Sequence, residues 1–146
     1  MKTLQTFLQK FPAKTAHAHC DVPCGVYEPD SMTWAAETCF KLAKKLEELE
    51  LPANDNKHEV LEFHNTVSRA VAVKEEYAQV CKDEVLILWT DYFKPEHLEK
   101  WADLHDKVWA ITKQCSVVKR SVSSEEANKL QTMVAELADI FKETKK

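Results

Sequence analysis

Turn-forming residues are nearly missing from this chain: a single glycine, Gly25, and five prolines serve 146 residues. With so few places to reverse sharply, the long stretches after Asp30 are expected to be helical, punctuated where proline and small polar residues gather. Apolar runs are short. Stretches such as Val85-Leu86-Ile87-Leu88-Trp89 fall far below the roughly 20 residues that a membrane-spanning helix requires. Positive charge is not in excess either; the formal net charge is −4, and nothing resembles the basic face that nucleic-acid phosphates call for. Nor is there a disulfide framework, because the five cysteines are odd in number and only Cys20 and Cys24 are close together. Repeats and low-complexity tracts are absent. What remains is one soluble domain, whose 45% hydrophobic content is enough for a real core.

Four helical segments follow from the pattern of apolar residues. The first opens at Pro29-Asp30-Ser31, where Asp30 or Ser31 can cap, and carries Met32, Ala36, Cys39, Phe40, Ala43, Leu46 and Leu49 at helical spacing. Pro52 and Asn54-Asp55-Asn56 end it. The second is the longest, with a seam of Val60, His64, Val67, Val71, Lys74, Ala78, Cys81, Val85, Leu88 and Tyr92 between about Lys57 and Tyr92. Pro95 stops that helix and suits the first turn of a third, striped by Leu98, Trp101, Leu104, Val108, Ile111 and Cys115. Ser123 and Glu126 have capping-box spacing at the head of a fourth, which runs through Leu130, Val134 and Phe141. Short connections make these helices antiparallel neighbours, so the expected fold is all-α, an up-down-up-down four-helix bundle. Val85 to Leu88 is the one place where a strand competes. Cys39, Cys81 and Cys115 fall on the apolar faces and are expected to be small buried thiols, a pattern that fits a reducing compartment.

Chemistry is concentrated ahead of the bundle, in His19-Cys20-Asp21-Val22-Pro23-Cys24-Gly25-Val26-Tyr27. Pro23 fixes its own φ and helps the chain turn back, Gly25 frees the backbone beyond it, and Cys24 can thereby come beside Cys20. If the chain is cut before His19, the new amino group, the His19 ring, the amide nitrogen of Cys20 and both thiolates lie within reach of one ion. Mixed nitrogen and sulfur donors of that kind, planar with an axial imidazole, suit nickel or copper better than tetrahedral zinc. The spacing of the two cysteines alone favours a local disulfide or a structural zinc clip; the surrounding residues are what point to the hook.

Residues 1–18 hold Lys2, Lys10 and Lys14 but no acidic residue, together with Leu4, Phe7, Leu8 and Phe11, and read as a leader. Ala16-His17-Ala18 has the small-x-small form of a secretory cleavage site, but Lys10 and Pro12 interrupt the hydrophobic region such a signal needs. The leader is therefore read as a propeptide removed in the bacterial cytosol, with export or plastid targeting as the alternative. The domain proper is then residues 19–146.

The nonapeptide closely resembles the amino-terminal hook of the nickel superoxide dismutases. Leu88-Trp89-Thr90-Asp91-Tyr92-Phe93-Lys94-Pro95 is similar to that family's second signature, and Ile140-Phe141-Lys142-Glu143-Thr144-Lys145-Lys146 to its carboxyl terminus. The resemblance implies dismutation of superoxide to dioxygen and hydrogen peroxide, with one nickel ion per subunit cycling between +2 and +3. It also implies a right-handed four-helix protomer, a homohexamer and a maturation protease. Carried over residue by residue, His19, Cys20 and Cys24 would ligate nickel, and Tyr27 and Tyr92 would hold ordered water and restrict access. Asp21 would tie the hook to the body, and Lys94 would help draw in an anion. Members of the family place a glutamate and an arginine where they orient the axial imidazole; counting from the two signatures puts Ala35 and Tyr77 there, with Glu37 two residues on from Ala35. Glu37, or a residue of a neighbouring subunit, is the candidate for that orienting role. His58, His64, His97 and His105 are assigned no metal. A metal carrier using the same hook, or a thiol-redox protein cycling Cys20 and Cys24, are the competing functions.

Overall fold

The computed structural model describes residues 25–146. Four long helices make the bundle: α1 (Asp30–Glu47), α2 (Lys57–Ile87), α4 (Leu104–Arg120) and α5 (Ser124–Thr144), with the short α3 (Pro95–Lys100) ahead of α4. Each long helix packs on the next, and α5 returns to α1, so the four close into a ring around one core. One end of the bundle gathers Tyr27, the end of α2 and the end of α5, through Tyr92 and Thr144. At the other end the Ser124 N–H donates to the Glu47 carboxylate at 2.8 Å. That pairing of ends is the up-down-up-down order expected from the short connections.

The core is built from Met32, Val85, Leu104, Ile111, Leu130, Leu137 and Phe141, interleaved with small residues such as Ala36, Ala43 and Ala78. Cys39, Cys81 and Cys115 are free thiols at 0% exposure, as their apolar spacing suggested. Val85 to Leu88 is helical, and no strand forms among the described residues.

The capping chemistry is met in part. The Ser123 hydroxyl accepts from the Glu126 N–H at 3.1 Å. The Glu126 carboxylate does not reach back to Ser123; it accepts from the Gln114 side chain at 2.6 Å and so ties α5 to α4. Replacing Ser123 by alanine should cost about 1 kcal/mol, seen as a lower urea midpoint at unchanged slope. At the head of α1 neither Asp30 nor Ser31 caps with its side chain; Pro29 occupies the boundary and the Thr33 hydroxyl donates to the Asp30 carbonyl.

Three features differ from the simple stripes. The 31 residues of α2 overrun the 18 of α1 by roughly 20 Å at 1.5 Å per residue, so no residue of α2 before Ala70 is buried and His64 is exposed. The third segment is not continuous: Trp101, with φ −122° and ψ 77°, leaves the helical region and separates α3 from α4. The last turn of the second segment, Leu88–Tyr92, is a π-helix, closed by the Phe93 N–H donating to the Leu88 carbonyl at 2.9 Å.

Lys74 is the one fully buried cation of the described residues, at 1% exposure. Its ammonium donates to the carbonyls of Val118 and, at 3.1 Å, Lys119. These belong to the last turn of α4, where helical carbonyls have no partner of their own and the helix dipole favours a cation.

Candidate metal centre

His19, Cys20, Asp21 and Cys24 lie outside the described residues, which begin at the root of the nonapeptide. Gly25 has φ +72°, in the left-handed region that favours glycine. The only glycine of the sequence thus stands where the chain turns into the bundle. Two residues on, the half-buried Tyr27 ring lies 5.5 Å from Tyr92. The Lys145 ammonium holds this root from the end of α5, donating to the Tyr27 carbonyl at 2.8 Å and pairing with Glu28 at 2.9 Å. The ion pair is half-exposed and adds little energy by itself; its effect is to fix where the segment starts.

Tyr92 is the last residue of the π-turn that ends the second segment, and π-turns recur at functional sites. Its ring packs on Phe141 at 4.5 Å and Phe93 at 5.4 Å, and stacks on His97 at 5.8 Å. Its hydroxyl lies 2.6 Å from the Thr144 hydroxyl. The two tyrosines singled out from the sequence are therefore neighbours, brought together from opposite sides of α1 and α2.

The remaining candidates are less concentrated. Lys94 is exposed just beyond this cluster, and its backbone N–H donates to His97 Nδ1 at 3.1 Å. Glu37 sits on α1, paired with Lys41 at 2.6 Å. Ala35 is buried in the core and Tyr77 is 38% exposed on α2, so neither position offers a charge to an imidazole. Trp89 is not packed inside the core. Its indole N–H donates to His105 Nδ1 at 2.7 Å, and both line an outer cavity of about 620 Å³ with Trp109 and Val108, which neither Tyr27 nor Tyr92 reaches.

Sequence reasoning missed Thr144 and Lys145 as individual residues. Thr144 ends α5 and Lys145 caps it, more than a hundred positions from Tyr27, and no local pattern marks them.

Among the described residues no three His, Cys, Asp or Glu side chains converge to hold an ion. Two of the core thiols are held protonated: burial pushes Cys39 up to about 12, and the hydrogen bond that Cys81 shares with Cys115, together with burial, raises Cys81, while the same bond lowers Cys115. The other two cysteines of the sequence, Cys20 and Cys24, are the pair that stands beside an imidazole.

Comparison with known proteins bears on the same segment. The family model for nickel-containing superoxide dismutase matches residues 14–145. The nickel superoxide dismutase of Streptomyces coelicolor is 38% identical over 135 residues, covering 92% of this chain and 94% of that protein. That of Streptomyces seoulensis is 36% identical over the same shares. A solved native structure of nickel superoxide dismutase superposes with a TM-score of 0.73 at 37% identity, covering 88% of this chain and all of the other. An apo structure of such an enzyme gives 0.67 at 34% identity, over 83% and 98%.

Proposed function

The chain belongs to the nickel-containing superoxide dismutase family and is a nickel superoxide dismutase, and from that premise we propose that its nickel is held by His19, Cys20 and Cys24 once the chain is cut before His19. The observation that carries this reading is the anchoring of Tyr27 and Glu28 against Tyr92 and Lys145, at a bundle end where the described residues offer no ligand set of their own. The donors fit the metal. Two thiolates, an imidazole, an amine and a deprotonated amide form the mixed nitrogen and sulfur set that would suit nickel. Nickel held there supplies one-electron chemistry by alternating between its divalent and trivalent states.

The protein's own part is positioning and screening. Tyr27 and Tyr92 form the wall beside the site, holding ordered water and limiting access to species as small as superoxide. Asp21 ties the hook to the bundle. Lys94, exposed next to Tyr92, supplies a local positive potential that draws in an anion against the negative net charge. Glu37 is the carboxylate on α1 that orients His19, exchanging its surface partner Lys41 for the ring. The chain assembles as a homo-oligomer, the hexamer that the resemblance implies, with one nickel per subunit; large apolar side chains left exposed, Trp34 and Trp109 at 64% and Leu61 at 55%, are available for self-association. Residues 1–18 are a propeptide removed by a maturation protease; no described helix is long and apolar enough to cross a membrane.

The test is the decay of superoxide after a radiolysis pulse, in the presence of nickel-loaded protein that starts at His19. Catalytic decay near the diffusional ceiling of about 10⁸–10⁹ M⁻¹s⁻¹ is expected. The same chain with Ala18 retained lacks the primary amine and should give decay no faster than free nickel. Equal rates for the two chains would overturn the role of the amine.

A further inference from the structure

Thr144 has one hydroxyl proton and two oxygen neighbours at hydrogen-bond distance, and only one arrangement of protons satisfies both. Its Oγ1 lies 2.6 Å from the Phe141 carbonyl, one turn back in α5, and 2.6 Å from the Tyr92 phenol oxygen. A carbonyl cannot donate, so the Thr144 proton is committed to Phe141. The proton between the two hydroxyls then belongs to Tyr92. The phenol donates and Thr144 accepts.

This fixes more than one bond. The plane of the Tyr92 ring is set by Phe141 at 4.5 Å, by Phe93 at 5.4 Å and by the stacked His97 at 5.8 Å. The only freedom left to the side chain is rotation of its hydroxyl, and Thr144 removes that too. The chain of bonds ends on a carbonyl, so it cannot conduct a proton onward: the Tyr92 proton faces an oxygen whose own proton is already spent.

We propose that Thr144 is a positioning residue of the superoxide reaction, holding Tyr92 as a donor to the protein so that toward the hook Tyr92 offers only lone pairs. Water beside the tyrosine then points an O–H at it, and Tyr92 orders that water without being a proton source. The inference rests on the reading that the hook carries the nickel next to Tyr27 and Tyr92. It names a residue outside the hook and outside the tyrosine pair as a determinant of how that site works.

The experiment separates the two. In the metal-free full chain, ultraviolet resonance Raman spectra report whether a tyrosine donates or accepts, and subtracting the Tyr92→Phe spectrum isolates Tyr92. The donor signature should be present in the parent and in Thr144→Ser, which keeps the hydroxyl, and absent in Thr144→Val. Thr144→Ala removes the same acceptor without the added methyl and decides the point if the valine variant does not fold. In the nickel-loaded chain cut before His19, Thr144→Val should slow turnover roughly fivefold, the worth of one neutral hydrogen bond, with Thr144→Ser near the parent. In a Tyr92→Phe background the valine substitution should have no further effect. An unchanged Tyr92 signature without the Thr144 hydroxyl, or the same slowing in the Tyr92→Phe background, overturns the proposal. Loss of dismutation in the parent itself would instead overturn the nickel reading, and the spectra would still decide the Thr144–Tyr92 geometry.

Discussion

Replacing Cys24 by serine should remove nickel and superoxide turnover together while leaving the bundle intact. A serine hydroxyl is a hard, weakly acidic donor where the site needs a soft thiolate, and with one sulfur gone the remaining donors no longer favour nickel over its competitors. Turnover is expected to fall to the level of free nickel. The unfolding midpoint should move little, because Cys24 precedes the whole of the core and a substitution outside it costs within about 0.5 kcal/mol. Elemental analysis for nickel, pulse radiolysis and urea unfolding on one preparation check all three expectations. The contrast is Cys39→Ala. That thiol is fully buried and donates to the Lys74 carbonyl, so its loss should cost roughly 1–2 kcal/mol of stability and no nickel. If the two variants exchanged phenotypes, the division of the cysteines into ligands and core would be wrong.

The second large effect is expected at Lys74. Methionine there fills nearly the same volume but cannot donate, leaving the Val118 and Lys119 carbonyls buried at the end of α4 without their partner. Replacing both members of a buried polar contact can be harmless; removing one is not, and a loss of about 2–4 kcal/mol is expected in denaturant unfolding. The same variant carries a pH signature. Burial holds the Lys74 ammonium below the ordinary lysine value of 10.5. Between the two values the unfolded chain binds the proton more readily than the folded one, so the contribution of Lys74 to stability rises with pH through that window. Cys39, raised to about 12 from 9.0, acts in the opposite sense above the ordinary thiol value. Lys74 and Cys39 also shift each other, so the comparison of Lys74 with Lys74→Met is made in a Cys39→Ala background, where the difference should widen as the pH approaches 10.5. A difference independent of pH would mean that Lys74 titrates as it does in the unfolded chain.

The bundle was legible because its stripes are regular: Met32, Ala36, Cys39 and Ala43 in α1, or Leu130, Val134, Leu137 and Phe141 in α5, repeat at the helical period and are all buried. The same regularity hid the break at Trp101. Leu98, Trp101 and Leu104 are three apart, a spacing that one continuous helix and two helices joined by a turn share. The overrun of α2 was equally invisible, since Val60 and Val67 continue the seam whether or not α1 extends far enough to cover them. In the candidate site, Tyr27 and Tyr92 could be named because each sits in a recognisable local motif. Thr144 and Lys145 could not be given roles, because what they do depends on α5 ending beside α2 and beside the root of the hook, a fact of topology. Lys74 looked like a polar interruption in an apolar seam, and its partners lie more than forty residues downstream.

The π-turn sets a trap for anyone engineering this protein toward robustness. Excising one residue from Leu88–Tyr92 would let α2 run on as regular α-helix, the change that a redesign toward ideal geometry would make. The same excision would swing everything beyond it by about 100° around the helix axis. Tyr92 would then leave Thr144, Phe141 and Tyr27 behind. A bundle regularised that way would keep its helices and lose the tyrosine pair.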